Sequence, residues 1–374
     1  MEKRNKIILY TSKSYPCKTG GMEIYNYYLV QELSKAEESN RITILSSCMA
    51  AGSDLVNVLP EKERIFVLRR YGLSTASTIF YYCFSKKMRW KEVAVVYLPY
   101  TSNFSYSAFP LLILKKILKV EYVVHIHSGG IMEWKPRWLL KSFFKNARNI
   151  AGVSVPIVEE YGEKTGREIK YLPPLLPFME SSKDKKTLRQ QRGFDRFKNI
   201  IVFIGTIKAL KAPETLLKAF KELGQDFIHQ HQLGLVMVGD GPLRRQLENK
   251  YADMGSIVFE GTVPNAEIKD YYKLADAYVI TSWFEGTSIS LLEAMFNKLP
   301  CIGTNVTGIR DIIKPGVTGY LFEKDDYQGL SHTLREVFVD CSHAETVGKN
   351  AYEYYQETFC YKDHLSQIIE FIGL

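Results

Sequence analysis

The chain has 374 residues, 46% of them hydrophobic and 24% charged, with 24 Tyr and 20 Phe. That composition belongs to a folded globular protein, and the length predicts two domains with separate cores, which excludes a disulfide miniprotein and a disordered chain. The net charge of +8 is uneven: residues 1–180 hold 26 Lys and Arg against 16 Asp and Glu, a balance of +10, while residues 181–374 hold 23 against 25, a balance of −2.

The basic first half points to an anionic partner such as a membrane surface, a phosphorylated substrate or nucleic acid, with an incidentally basic surface as the alternative. Cysteines 17, 48, 83, 301, 341 and 360 are scattered, with no zinc-ligand spacing, and read as reduced cytoplasmic thiols. The opening MEKRNKIILY has too short an apolar run for a signal peptide, and the apolar window Phe109 to Leu118 is broken by Lys115 and Lys116. Any membrane contact is therefore expected to be peripheral.

Short apolar, β-branched runs predict strands at Lys6 to Tyr10, Ile42 to Leu45, Val93 to Leu98, Tyr122 to Ile126 and Asn149 to Val153, with helical stretches between them. Near-continuous apolar strands imply a parallel sheet covered on both faces, so the first half reads as Rossmann-like. The prolines of Tyr171 to Phe178 and the polar run Ser181 to Arg196 argue against a regular element and place an interdomain linker there. The alternation restarts with Asn199 to Ile204, Leu233 to Val238, Ile257 to Glu260, Ala277 to Ile280 and Cys301 to Gly303. The expected architecture is α/β, with two Rossmann-like, doubly wound parallel-sheet domains facing across a cleft at the carboxyl ends of their strands.

The most informative stretch is Thr281-Ser-Trp-Phe-Glu285-Gly286-Thr287-Ser288-Ile-Ser-Leu-Leu-Glu293, which follows an apolar strand and opens a helix. Two helical carboxylates eight positions apart would stand about 12 Å from each other. A retaining glycosidase pair needs about 5–5.5 Å, so these two must serve separate partners. Glu293 inside the helix can accept two ribose hydroxyls, and the Gly286, Thr287 and Ser288 amides at the helix start suit a phosphate. Spacing alone equally allows an acid favoured by the helix dipole plus a solvated surface Glu.

This stretch resembles the E-x7-E signature of the retaining GT-B glycosyltransferases of family 4 (glycosyl transferases group 1), and matches in the family's order extend over roughly residues 6 to 322. Phe203-Ile-Gly205-Thr206-Ile-Lys208-Ala-Leu-Lys211 is similar to the loop in which a Gly-Arg pair precedes a diphosphate-binding Lys; Lys211 fits, whereas Thr206 stands at the Arg position. Lys18-Thr-Gly20-Gly21-Met-Glu23, ahead of a helical run Ile24 to Leu33, is similar to the family's Gly-Gly-x-Glu loop. His127, at the end of Val123-Val-His125-Ile-His127, fits the active-site His, and His125 reads as structural. Val236-Met-Val-Gly239-Asp-Gly241-Pro242-Leu-Arg244 lacks the third glycine of a dinucleotide fingerprint, with Arg244 in its place. It resembles the family's G-x-G-P turn instead, with the loop Glu260-Gly261-Thr262-Val263-Pro264 expected at the base. Pro300 to Asp311 and Gly316 to Phe322 resemble the closing part of the donor domain.

The resemblance implies an acceptor domain over 1–175, a nucleotide-sugar donor domain over 176–355 and a last helix, 356–374, crossing back to the first. It implies transfer of a sugar, with retention, from a UDP- or GDP-sugar to a hydroxyl of a saccharide or lipid-linked acceptor in cell-envelope polysaccharide or glycolipid synthesis. His127 and Glu285 would be catalytic. Gly20, Gly21, Gly205, Thr206, Lys211, Thr262, Val263, Gly286, Thr287, Ser288 and Glu293 would bind the donor. No D-x-D motif is present, so no metal or other cofactor is expected, with Lys211 supplying the positive charge. The rivals are a nucleotide-sugar epimerase or hydrolase on the same scaffold and a non-catalytic carbohydrate-binding subunit, towards which Thr206 leans. Nucleic-acid binding is disfavoured for want of a recognised motif. Two segments, Trp134 to Arg148 and Tyr81 to Trp90, interleave basic and aromatic residues, a pattern suited to anionic lipid on the inner face of a membrane. An ordinary helix with a solvated cationic face is the alternative for the first.

Overall fold

A computed structural model describes residues 6–11, 25–26, 28–29, 42–48, 55–56, 66–71, 90–100, 108–127, 137–174, 178–359 and 361–373. The chain divides into two units, Met1–Pro177 with Tyr361–Leu374, and Phe178–Cys360.

The first unit is built on an eight-stranded sheet. Its strands are β1 (Lys6–Thr11), β2 (Ile42–Cys48), β3 (Leu55–Val56), β4 (Phe66–Tyr71), β5 (Val93–Tyr100), β6 (Glu121–Ile126), β7 (Asn149–Gly152) and β8 (Lys170–Tyr171). They run in the order β3-β4-β2-β1-β5-β6-β7-β8, all pairs parallel except β3 with β4. The order reverses between β1 and β5. Val96, Leu98, Tyr122 and Val124 pack against Leu111, Leu140, Phe143 and Tyr161 of the covering helices. The Tyr122 ring stacks on Phe143 at 5.0 Å, and its hydroxyl donates to the Phe143 carbonyl at 2.5 Å, so the polar end of a buried ring is satisfied within the core. The helix Tyr361–Ile372 belongs to this unit: Arg148 Nη2 donates to the Ile372 carbonyl at 2.8 Å, and Ile368, Phe371 and Ile372 are buried.

The second unit carries β9 (Asn199–Ile204), β10 (Leu233–Val238), β11 (Ile257–Gly261), β12 (Ala277–Ile280), β13 (Cys301–Thr304) and β14 (Tyr320–Phe322). The order is β11-β10-β9-β12-β13-β14, all parallel. Ile200 and Val202 enter one core layer, while Ile201 and Phe203 enter the other. This two-sided burial explains why these strands read as unbroken apolar runs. The order reverses between β9 and β12, the switch point outside whose carboxyl ends doubly wound sheets bind ligands.

One expectation is corrected. The polar run 181–196 is not a linker but contains a helix, Lys185–Gln191, whose Asp184 N-cap accepts from the Thr187 amide at 2.9 Å. Leu188, Phe194 and Phe197 are buried, and Arg189 holds Leu274 O and Asp276, so three well-spaced apolar residues anchor a segment that its charges had disguised. The unit boundary falls just before it, at Pro177/Phe178.

Candidate functional site

In the second unit the loops after β9, β10 and β11 are laced together by backbone bonds. Gly205 N donates to Val238 O at 3.0 Å, Ile207 N to Asp240 O at 2.9 Å and Gly239 N to Gly261 O at 2.8 Å. Gly239 has φ +130°, and a Cβ there would lie 2.0 Å from the Gly205 carbonyl oxygen; one at Gly241 would lie 2.4 Å from that of Ile207. The two glycines of the G-x-G turn are therefore explained by close approach of backbones. Arg244 opens the helix Arg244–Lys250 and lies against Gly261.

Across the switch point, the single turn Ala209–Lys211 after β9 meets the segment after β12. Thr281 Oγ1 donates to the Lys211 carbonyl at 2.7 Å, and Trp283 N to the Leu210 carbonyl at 2.9 Å. These bonds bring the Lys211 ammonium into an ion pair with Glu285 Oε1, 74 residues away in sequence. The pair is largely enclosed, with side-chain exposures of 23% and 13%, and the same carboxylate oxygen accepts from Ser282 Oγ at 2.6 Å. From the other side Gly308, at φ +84°, backs the Glu285 loop: a Cβ there would lie 2.2 Å from the Glu285 carbonyl oxygen. Gly308, within the Pro300 to Asp311 segment, thus buttresses the Glu285 loop.

Ser288 caps the helix Ile289–Phe296, its Oγ accepting from Leu291 N at 3.4 Å. Within that helix Glu293 Oε2 accepts from the Tyr272 hydroxyl at 2.9 Å, so the two glutamates have different partners, as their spacing required. Burial pushes the Glu293 carboxyl up to about 7, against the lowering effect of the Tyr272 hydrogen bond. Gly286 and Thr287 are partly buried, Thr206 and Thr262 are exposed, and Val263 packs on the core. Glu260 is held by the Tyr271 hydroxyl at 2.5 Å, which in turn accepts from Arg192, giving this acid a role within the unit. Among the described residues no group of three His, Cys, Asp or Glu converges as a metal site.

The first unit carries a separate cluster at its strand ends. His127 directly follows β6, and His125 within β6 is fully buried. His125 Nε2 donates to the Leu172 carbonyl at 2.7 Å, which fixes the tautomer, and Nδ1 accepts from the Tyr97 hydroxyl at 2.8 Å. Tyr25 OH lies 2.5 Å from Tyr97 OH and 3.2 Å from the same Nδ1. Burial lowers His125 to about 4, and burial together with His125 holds His127 well below the usual imidazole range. The His127 ring lies 4.4 Å from that of His125 and 4.6 Å from that of Tyr25; its Nε2 has no hydrogen-bond partner among the described residues. Gly20, Gly21 and most of the run Ile24 to Leu33 lie outside the described residues, as does Tyr81 to Arg89; Trp90 is buried. Sequence reasoning missed Tyr25, Tyr97, Ser282 and Tyr272, because in a chain with 24 tyrosines no spacing marks the ones that reach a site.

Two doubly wound parallel-sheet units of this kind define the GT-B fold. The family model for glycosyl transferases group 1 matches residues 184–354, which lie within this second unit. It is 27% identical over 264 residues to sulfoquinovosyl transferase SQD2 of Arabidopsis thaliana, covering 66% of this chain and 50% of that protein. The chain spans about half the length of the curated relatives it matches first. Among solved structures it resembles Anabaena HepE in complex with UDP and glucose, with a TM-score of 0.77 at 18% identity over 99% of this chain and 100% of the other. It also resembles sucrose-phosphate synthase of Thermosynechococcus elongatus, with a TM-score of 0.79 at 19% identity over 98% of each chain.

Proposed function

We propose that this protein is a retaining, metal-independent glycosyltransferase that moves a sugar from UDP or GDP to a hydroxyl of a saccharide or lipid-linked acceptor. The observation that carries the reading is the Lys211–Glu285 pair at the β9/β12 switch point, with Glu293 eight residues further on. A donor diphosphate entering there competes for the Lys211 ammonium, the amides of Gly286 to Ser288 add hydrogen bonds, and Glu285 is released to accept from sugar hydroxyls. Glu293 accepts from the ribose, with Gly205, Thr206, Thr262 and Val263 lining the nucleotide.

In the transfer step the acceptor oxygen bonds to the anomeric carbon on the face that the nucleotide leaves. The sugar–phosphate bond breaks with its electron pair going to the phosphate oxygen, and a phosphate oxygen takes the acceptor proton. Lys211 stabilises the charge that develops on the leaving diphosphate. His127, held neutral by burial, orients the sugar or shares the developing charge.

The basic first unit suits an acceptor presented at the cytoplasmic face of an anionic membrane, within envelope polysaccharide or glycolipid synthesis. The testing experiment incubates the protein with UDP- and GDP-sugars and an extract of envelope lipids, with and without chelator. Acceptor-dependent release of nucleotide, an α-linked product and indifference to chelator are expected. Release that ignores the acceptor would favour a hydrolase, and an inverted product would remove the retaining mechanism.

A further inference from the structure

The helices Ala108–Leu118 and Arg137–Asn146 connect β5 to β6 and β6 to β7, strands adjacent in the sheet, so right-handed crossovers place both on one face. They pack against each other and bury Leu111, Leu114, Leu140, Phe143 and Phe144 beneath them. Their inward faces are thereby already satisfied, yet large apolar side chains also stand on the outward faces. Phe109 is 51% exposed, Ile117 71% and Trp138 70%. Ile113 and Lys116 fall on the Phe109–Ile117 stripe, and Lys141 and Lys145 fall one and two turns along from Trp138. Neither helix contains an acidic residue. The next helix, Val155–Thr165, exposes Glu159 and Glu163 and so bounds the cationic area on one side.

A large indole and an isoleucine standing out of a lysine field match an interface in which apolar groups enter the acyl boundary while ammonium groups remain at the headgroups. A nucleic acid would meet the lysines but not Ile117 or Phe109. No helix among the described residues is long and apolar enough to cross a membrane, so this contact would be superficial.

We propose that this two-helix face docks the protein on an anionic lipid surface, with Trp138 and Ile117 inserted and Lys116, Arg137, Lys141 and Lys145 on the headgroups. The proposal gives a place in the fold to the membrane-side acceptor of the functional reading and rests on it only for its purpose. The 374-residue chain is sedimented with phosphatidylcholine vesicles, with and without phosphatidylglycerol, at low and high salt. Binding only to the anionic vesicles, weakened by salt, is expected. Lys141→Gln and Lys145→Gln should each weaken partitioning about fivefold, and Trp138→Ala should weaken it and remove a blue shift in tryptophan emission. Titration of the same variants with UDP and GDP, through the other unit, serves as the folding control and reports separately on the transferase reading. Equal binding to neutral vesicles, no sedimentation, or variants indistinguishable from wild type would overturn the proposal.

Discussion

Glu293 offers a pH dependence that can be calculated. Its carboxyl titrates at about 7 because burial disfavours its charge, yet a carboxylate that accepts ribose hydroxyls must be ionised to accept from both. At pH 8 about nine-tenths of the molecules carry the ionised form and at pH 6 about one-tenth, so affinity for an intact nucleotide sugar should fall about tenfold across that interval. An intact UDP- or GDP-sugar is the suitable probe, because a free terminal phosphate titrates near pH 6 itself. Titration calorimetry at pH 6, 7 and 8, on wild type and on Glu293→Gln, measures it. The amide keeps an acceptor for the Tyr272 hydroxyl at 2.9 Å but has no charge to lose, so the variant should bind more weakly at pH 8 and show no such slope. The folded-state pKa is raised, so the folded protein holds more protons than the unfolded chain between pH 4.5 and 7, and this group lowers stability as pH rises through that window. The full effect is about 3 kcal/mol, and Glu293→Gln should therefore melt higher than wild type at pH 8. An affinity that is constant from pH 6 to 8, or a variant that retains the slope, would refute the reasoning.

His125 works in the opposite sense: its pKa is depressed to about 4, so stability is lost as pH falls from 6.5 towards 4, and wild type should lose about 3 kcal/mol there that His125→Phe does not, as denaturant titration in that range will report. The same variant strands the Leu172 carbonyl and leaves the Tyr97 hydroxyl with Tyr25 alone, and at pH 7.5 should cost about 2 kcal/mol. Gly239→Ala forces a Cβ to 2.0 Å from the Gly205 oxygen at φ +130°, and should lower the melting temperature and weaken nucleotide binding together. His127→Ala should reduce turnover more than nucleotide affinity, if its contact strengthens in the transition state; equal losses in steady-state kinetics would sink that role.

The central strands of the second unit were readable because they are buried on both faces: Asn199–Ile204 and Leu233–Val238 carry unbroken apolar runs with no competing pattern, whereas the three-residue, partly buried β14 was not read as a strand. Strand β4 escaped because two arginines interrupt it, and β3 and β8 because two residues carry no periodicity. The helix Lys185–Gln191 escaped because its signal is a cap and one buried leucine inside a charged run. In the site, Lys211, Glu285 and Glu293 could be nominated from spacing and resemblance. Their arrangement could not, because the pairing of Lys211 with Glu285 depends on how two strand-end loops meet. Likewise His125 read as a structural residue, and its network with Tyr25, Tyr97 and Leu172 draws on elements spread over nearly 150 positions, which no local pattern encodes.

The most direct test of the account is calorimetric titration of UDP and GDP into wild type and Lys211→Ala, each with and without chelator. One nucleotide should bind wild type, the variant should bind it at least about tenfold more weakly while keeping its circular dichroism, and chelator should change neither. No binding of either nucleotide, or equal binding by the two proteins, would contradict the assignment of the Lys211–Glu285 pair as the donor site.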